Sequence, residues 1–391
     1  MAIELSFNEQ ERLIQQTARA FFLEHCPSSL VRDCERRPGG FAADLWAKMA
    51  EAGWLGMGFA SEYDGLECGF LDLFALYVEI GRSLAPIPHL ETVALAGALI
   101  NELGDDAQKR AMLPGVASGR AICTLAMTEP ESGFGADGIH LAATPTAEGF
   151  VLNGCKTLTP YAGSAERLIC VARTGPVGAD GLSLLLVDPR ASGIEINHTP
   201  NISSYPLYTV TFRDVAVAKA DLLGEQDLAW PALHKALMRA AVLQSAMVVG
   251  AGEQILAMSV DYAKTRRQFG EPIGKFQAVQ YLATDIAFDL KSARLLALQA
   301  AWRIQSGRTF LREAALAKAA ASHAAAAMTF AAHELHAGIG FMVDYDLQLY
   351  TRRAKHWESN LGDARYHLER VLTEDVPENG TLGGLDPLSA R

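Results

Sequence analysis

The six cysteines, Cys26, Cys34, Cys68, Cys123, Cys155 and Cys170, are scattered and contain no CxxC pair. They read as reduced, mostly buried thiols of a cytoplasmic protein, and no metal site is expected. The start, MAIELSFNEQERLIQQ, lacks a basic stretch followed by an apolar run, so no signal peptide is expected, and no apolar run reads as long enough to span a bilayer. Basic residues are outnumbered, and a net charge of -11 argues against nucleic acid or an anionic membrane surface as a partner. What is present is 391 residues, 50% hydrophobic and 20% charged, the composition of a soluble globular chain with two or three domains.

Residues 1–120 read as a helical domain. Ser6 with Glu9 forms a capping-box pattern before a helix starting near Phe7, Pro38-Gly39-Gly40 breaks the chain ahead of Trp46 to Met57, and a turn at 62–65 precedes Leu71 to Arg82. Residues 121–226 change to short apolar runs separated by turns, a middle β domain. Its candidate strands are Ile122–Met127, Phe150–Leu152, Leu168–Ala172, Leu182–Val187, Ile194–Asn197 and Thr209–Phe212, with Asn153-Gly154 as a tight turn. Residues 227–375 are helical again and suggest a four-helix bundle. Val279, Leu282, Ile286, Leu290, Ala297 and Ile304 form a stripe at helical spacing, and Glu313 to Ala332 is alanine-rich enough for close backbone approach. Residues 376–391 read as a tail.

The stretch DYAKTRRQFGEPIGKFQAVQ, residues 261–280, joins two long helical patterns through a cationic break. Gly270, Pro272 and Gly274 end the first helix, so Lys264, Arg266 and Arg267 fall at its C-terminal end, where the helix dipole favours cations. Guanidinium groups beside a glycine-rich turn and Phe269 also suit a phosphate-bearing, ring-containing ligand. Tyr262, Arg266, Gln268-Phe269-Gly270, Pro272-Ile273, Phe276-Gln277 and Gln280 together resemble the C-terminal signature of the acyl-CoA dehydrogenase flavoprotein family. WAKMAEAGWLGMGFASEYDG and TVTFRDVAVAKADLLG resemble its N-terminal helical domain and its last barrel strands, so the resemblance runs from Phe7 to about Arg370. It implies an α+β fold: an N-terminal helical domain, a middle β-barrel or sandwich domain and a C-terminal four-helix bundle.

The resemblance also implies site residues. Arg266, Gln268, Phe269 and Gln277, with Gly338 in the phrase His333 to Gly340, would contact the pyrophosphate and adenine end of FAD held by a neighbouring subunit. Met127-Thr128-Glu129-Pro130 would run under the flavin ring. Beyond it the pattern drifts. Phe134 stands where a hydroxyl is usual, unless a short insertion brings Gly135-Ala136-Asp137 into register, and Leu158 and Pro160 replace an aromatic and a threonine after Asn153-Gly154-Cys155-Lys156. Glu334 and Ala337 replace a usual glutamine and glycine. Family chemistry removes the proton α to a thioester carbonyl as hydride leaves the β carbon for flavin, which needs a carboxylate beside the α carbon. Counting from Arg353-Ala354-Lys355 puts that position at Leu361, and the alternative helix positions at Ala240 and Met247 are not acidic. Glu358 and Asp363 are nearby carboxylates.

A preserved loop for a neighbour's FAD beside an eroded pocket resembles the non-base-bearing subunit of bacterial heteromeric members, including those of steroid side-chain degradation. The resulting expectation is an FAD-dependent desaturase of acyl-CoA thioesters, acting as one subunit with a catalytic partner in a hetero-oligomer and passing electrons to an electron-transfer flavoprotein. The alternatives are a homo-oligomer with an atypical base, a non-redox acyl-CoA or flavin-binding scaffold, and an oxygen-using relative.

Overall fold

The computed structural model describes residues 6–130 and 132–373; the tail expected at 376–391 lies outside the described residues. The chain opens with α1 (Glu9–His25), α2 (Ser28–Glu35), α3 (Ala43–Glu51) and α4 (Phe70–Ser83). A π-helical stretch, Leu90–Gly97, runs directly into α5 (Ala98–Leu103), and α6 (Asp106–Ala117) follows. The cap of α1 corrects the sequence expectation. Asn8, not Ser6, is the capping residue: its side chain accepts the Glu11 N–H at 2.9 Å, and the Glu11 carboxylate accepts the Asn8 N–H at 2.8 Å. Starting there leaves Phe7 outside the helix, free to pack edge-on against Phe74 in the core.

The middle segment contributes β1 (Cys123–Ala126), β2 (Ala142–Pro145), β3 (Gly149–Pro160), β4 (Arg167–Arg173), β5 (Leu182–Val187), β6 (Ile194–His198), β7 (Leu207–Ala218) and β8 (Leu222–Leu223). They pair in the order β6-β7-β3-β2-β4-β5-β8, with β1 parallel to β4. The unbroken apolar runs of β4 and β5 follow from burial on both faces. Leu168, Cys170 and Ala172 turn into the core of the sheet, whereas Ile169 and Val171 join the core shared with the helices.

Asn153-Gly154 is not a hairpin turn. Both residues lie inside β3, and the β2–β3 connection closes instead where Gly149 N–H meets Thr146 Oγ1 at 3.1 Å. Gly154 has φ 142° at a register shift against β7, and Asn153 is held by Asp214, donating from Nδ2 at 3.0 Å and accepting the Asp214 N–H at 2.9 Å. A left-handed-tolerant residue pair therefore served a bulge rather than a turn.

The C-terminal bundle holds α7 (Trp230–Thr265), the small hairpin β9 (Arg267–Gln268) and β10 (Glu271–Pro272), α8 (Gln277–Gln305), α9 (Leu311–His336), α10 (Leu347–Ser359) and α11 (Ala364–Val371). Pro231 sits in the first turn of α7, where a missing N–H costs nothing. Contrary to the expectation that no segment is long enough to span a bilayer, α7 passes by length and hydropathy. However, 72% of its apolar window is buried inside the protein, as in a core helix. α4 and α7 touch through glycines: a Cβ at Gly81 would stand 2.0 Å from the Met247 carbonyl oxygen, and one at Gly250 1.7 Å from that of Val78. Beside this crossing, buried Glu79 accepts from Arg19 at 2.8 Å and faces Arg82 at 3.3 Å, and Glu253 pairs with Arg82 and with Arg294 at 2.7 Å. The network joins α1, α4, α7 and α8.

Candidate active site

A cavity of about 330 Å³ opens where the π-helical stretch, β1, the start of α7 and the end of α10 meet. β1 runs along it, with Thr124 and Leu125 at one end and Met127 and Thr128 just beyond the other. The π-helical stretch adds Leu90, Glu91 and Leu95, α7 adds His234, Leu237 and Met238, and the far wall is His356, Leu361, Tyr366 and Phe134. The lining is mainly apolar with a few inward polar groups, the general character of a small-molecule site.

The Met127–Glu129 segment is clamped from behind. Lys156, fully buried on β3, donates from Nζ to Glu129 at 2.6 Å and to the Met127 carbonyl at 2.9 Å. Glu129 also accepts the N–H groups of His140 at 3.0 Å and Leu141 at 2.9 Å, and the Thr128 carbonyl accepts the Thr157 N–H. Burial lowers the Lys156 pKa, opposed by the thiol of Cys170 and the Glu129 carboxylate. Such a pair fixes a segment's position more than it adds net stability.

Leu361 lies on the cavity wall, in a left-handed conformation with φ 60°, followed by Gly362 at φ 97°. The left-handed region is costly for leucine. The loop is held from below by Lys318, whose Nζ donates to the carbonyls of Trp357 at 3.0 Å and Gly362 at 2.8 Å and to Ser322 Oγ at 2.6 Å. Burial pushes that amine down to about 7. Neither nearby carboxylate reaches the cavity: Glu358 pairs with Lys355 at 2.8 Å, and Asp363 caps α11 by accepting the Tyr366 N–H at 2.8 Å. Ala240 and Met247 are core residues of α7 outside the cavity lining.

The cavity does contain a carboxyl that the sequence reading did not single out. Glu91 is 2% exposed and accepts the Tyr205 hydroxyl at 2.6 Å. Burial pushes it up to about 7, against the Tyr205 hydrogen bond and the Arg353 guanidinium. Tyr205 is stacked on His356 at 4.0 Å, and the Arg353 guanidinium lies 5.2 Å over the same ring. Burial and the neighbouring Arg353 and Lys318 push His356 down to about 3, so it is neutral. The available signal was an acid inside the apolar run LETVALAGALI.

The remaining expected cofactor residues form a second place, outside the cavity. Arg266, Gln268 and Phe269 are all exposed on the β9–β10 hairpin, and Phe269 is 92% exposed at its tip with φ 54°. Gln277, exposed at the start of α8, donates to the Tyr281 hydroxyl at 2.7 Å. Stacking of Tyr262 on His336 at 4.7 Å brings the end of α7 beside the end of α9, where exposed Gly338 has open space over its backbone. Glu334 is exposed at the same end. Exposed Arg266 and Gln268 carry side-chain donors of the kind that the anionic end of FAD would need. Met127 and Thr128 line the cavity, and so do Leu158 and Pro160, which bring neither an aromatic face nor an N–H. The structure thus separates the expected FAD residues into two sets.

The chain matches the acyl-CoA dehydrogenase N-terminal domain over residues 8–120, the middle domain over 124–215 and the C-terminal domain over 230–373. It is 30% identical to the acryloyl-CoA reductase (NADH) of Anaerotignum propionicum over 381 residues, covering 95% of this chain and 96% of the reductase. Among solved structures, a chain of the ChsE4–ChsE5 complex from Mycobacterium tuberculosis superposes with a TM-score of 0.87 at 26% identity, over 95% of this chain and 98% of that one. A chain of the Tcur3481–Tcur3483 steroid ACAD gives 0.84 at 31% identity, over 93% and 97%. Other similar proteins are named acyl-CoA dehydrogenases, and some solved relatives are FAD complexes. With all three domains matched in order and the fold shared across them, this chain belongs to the acyl-CoA dehydrogenase family of FAD-dependent oxidoreductases.

Proposed function

We propose that this chain is one subunit of an acyl-CoA dehydrogenase, oxidising an acyl-CoA thioester to the α,β-unsaturated product together with a related, base-bearing partner. The observation that carries this reading is the split described above: the outward FAD residues Arg266, Gln268, Phe269 and Gly338 are intact and exposed, while the cavity presents Leu361 at the family's base position. Bound FAD would supply the hydride acceptor. This chain's own residues would bind the adenine and pyrophosphate end and shape an apolar acyl site that excludes water.

An exposed apolar face supports association. Tyr281, Phe288 and Leu295 are exposed on α8 at heptad spacing, opposite the buried Ile286, Leu290 and Ala297. Phe330, Phe341 and Val343 are exposed on α9 and the turn that follows it. Exposed apolar and aromatic side chains of this kind suit a subunit contact. An electron-transfer flavoprotein as acceptor and a cytoplasmic location belong to the same proposal.

The test is expression of the chain alone and with a neighbouring family member, followed by the absorption spectrum and native mass of the product. A colourless chain that becomes a yellow hetero-oligomer, bleached by an acyl-CoA, supports the reading. If neither preparation carries FAD or is bleached by any acyl-CoA, it is wrong. A yellow, active homo-oligomer from the chain alone would favour autonomous catalysis instead.

A further inference from the structure

The cavity is bounded at the Thr124 end by polar groups that its apolar walls do not need. Thr92 on the π-helical stretch donates from Oγ1 to the Cys123 carbonyl at 2.9 Å, fastening that stretch against the start of β1. The chain neighbours of this bond, Glu91 and Thr124, both line the cavity, at the opposite end of β1 from Met127 and Thr128. Over the four residues from Thr124 to Thr128 the separation is roughly 13 Å at strand rise. Glu91 Oε1 is satisfied by Tyr205, but Oε2 is buried with no hydrogen-bond partner among the described residues, and so is Thr124 Oγ1. Both side chains line the cavity and are at least 98% buried. Two orphaned polar atoms in a mainly apolar cavity are costly unless something that enters it bonds to them.

We propose that Glu91, Tyr205 and Thr124 form a polar subsite at the inner end of the acyl cavity, selecting acyl thioesters whose acyl group carries a hydroxyl remote from the thioester. A hydroxyl both donates and accepts, so it can give its proton to Glu91 Oε2 and accept one from Thr124. An unsubstituted alkyl end would leave both atoms unpaired. An acyl group ending in a carboxylate would meet a buried acid. The proposal rests on the acyl-CoA reading given above and adds the chemistry of the acyl end.

The experiment uses the FAD-loaded protein, with its partner subunit where that is needed for loading. Two straight-chain acyl-CoA thioesters of equal carbon number, one with a terminal hydroxyl, are compared across several chain lengths by binding calorimetry, because turnover depends on the partner's base. At the chain length that reaches the subsite, the native protein prefers the hydroxylated thioester by about tenfold, the value of one well-made buried hydrogen bond. Glu91→Leu abolishes the preference, and Thr124→Val, which conserves shape, reduces it. Glu91→Gln, which keeps an acceptor for Tyr205, retains part of it. A preference for unsubstituted chains at every length, a preference for a terminal carboxylate, or a hydroxyl preference unchanged in both Glu91→Leu and Thr124→Val would overturn the subsite alone. Absence of binding by every thioester would overturn the acyl-CoA reading, and the subsite with it.

Discussion

The buried acid at Glu91 should make the chain lose stability as pH rises through neutrality, and Glu91→Gln should remove that loss. In the folded protein the carboxyl sits near 7 against an ordinary 4.5, because burial penalises the charged form. The groups around it are Tyr77 on α4, Tyr161 and Tyr205 from the middle domain, and Arg353 on α10. The tyrosines are raised in the same enclosure, so the guanidinium is the nearby charge that favours ionisation. A raised folded-state value means that the group's contribution is intact below 4.5 and is lost as pH climbs towards and past 7. At pH 8 the full gap amounts to about 3 kcal/mol, and at pH 5 less than about 1 kcal/mol has been lost. Native protein should therefore weaken by about 2 kcal/mol between pH 5 and 8 relative to Glu91→Gln. For a chain of this size that is about 2–3 °C of Tm. Thermal unfolding of both proteins across this range, taken as a difference, cancels the groups they share. Parallel curves from pH 5 to 8, or a native protein that gains on the variant with rising pH, would refute the buried-acid argument.

Other expectations follow from features of the same framework. Lys156→Met strands Glu129 behind the Met127–Thr128 segment and should destabilise by about 3–5 kcal/mol in urea unfolding, with loss of bound flavin exceeding the loss of folded protein. Glu79→Ala removes the buried carboxylate that accepts from Arg19 and faces Arg82 and should cost about 3 kcal/mol, and combined with Glu253→Ala the loss should exceed the sum of the two, since each single variant still leaves Arg82 one carboxylate. Leu361→Glu places a carboxylate on the cavity wall where the sequence count expects the family's base, and should confer measurable acyl-CoA bleaching on chain that has been loaded with FAD but lacks a partner's base. Phe288→Glu, on the exposed stripe of α8, should lower the native mass without lowering Tm, since its side chain is not part of the core.

The sequence made the architecture legible where periodicity was strong and local. Leu182–Val187 is a strand at both of its expected ends, and the break at 261–280 does join two long helices, α7 and α8, with Pro231 at the start of the first and the glycines of the 270–274 loop ahead of the second. Other strands were underestimated where polar residues face outward: β7 continues past Phe212 through Arg213 and Asp214 to Ala218, and β3 continues through Asn153 and Gly154 to Pro160. Both extensions depend on pairing with each other, which is a non-local fact. The six cysteines are free, as their spacing suggested. The residues of the β9–β10 hairpin expected to meet FAD stood out as a candidate set because they are contiguous. Glu91 was not, because what makes it notable is Tyr205 and Arg353, more than a hundred residues away, closing over it.

The π-helical stretch has a consequence for how this cavity can change. A π-helix holds more residues per turn than an α-helix, and persists only where the surroundings favour it. Here Thr92 is fastened to β1, and Gly97 fits against Phe59, whose ring would lie 2.5 Å from an added Cβ. Removing one residue between Thr92 and Gly97 would let the segment tighten to an α-helix, which makes the same turns with fewer residues, so both flanks would keep nearly their present orientation. Thr92 at β1 holds one end and α5, with buried Leu99 and Ile100, holds the other, so the change falls on the turn between them. A single codon lost from this stretch would therefore trim the cavity wall around Leu95 while leaving Glu91 at its end of the cavity.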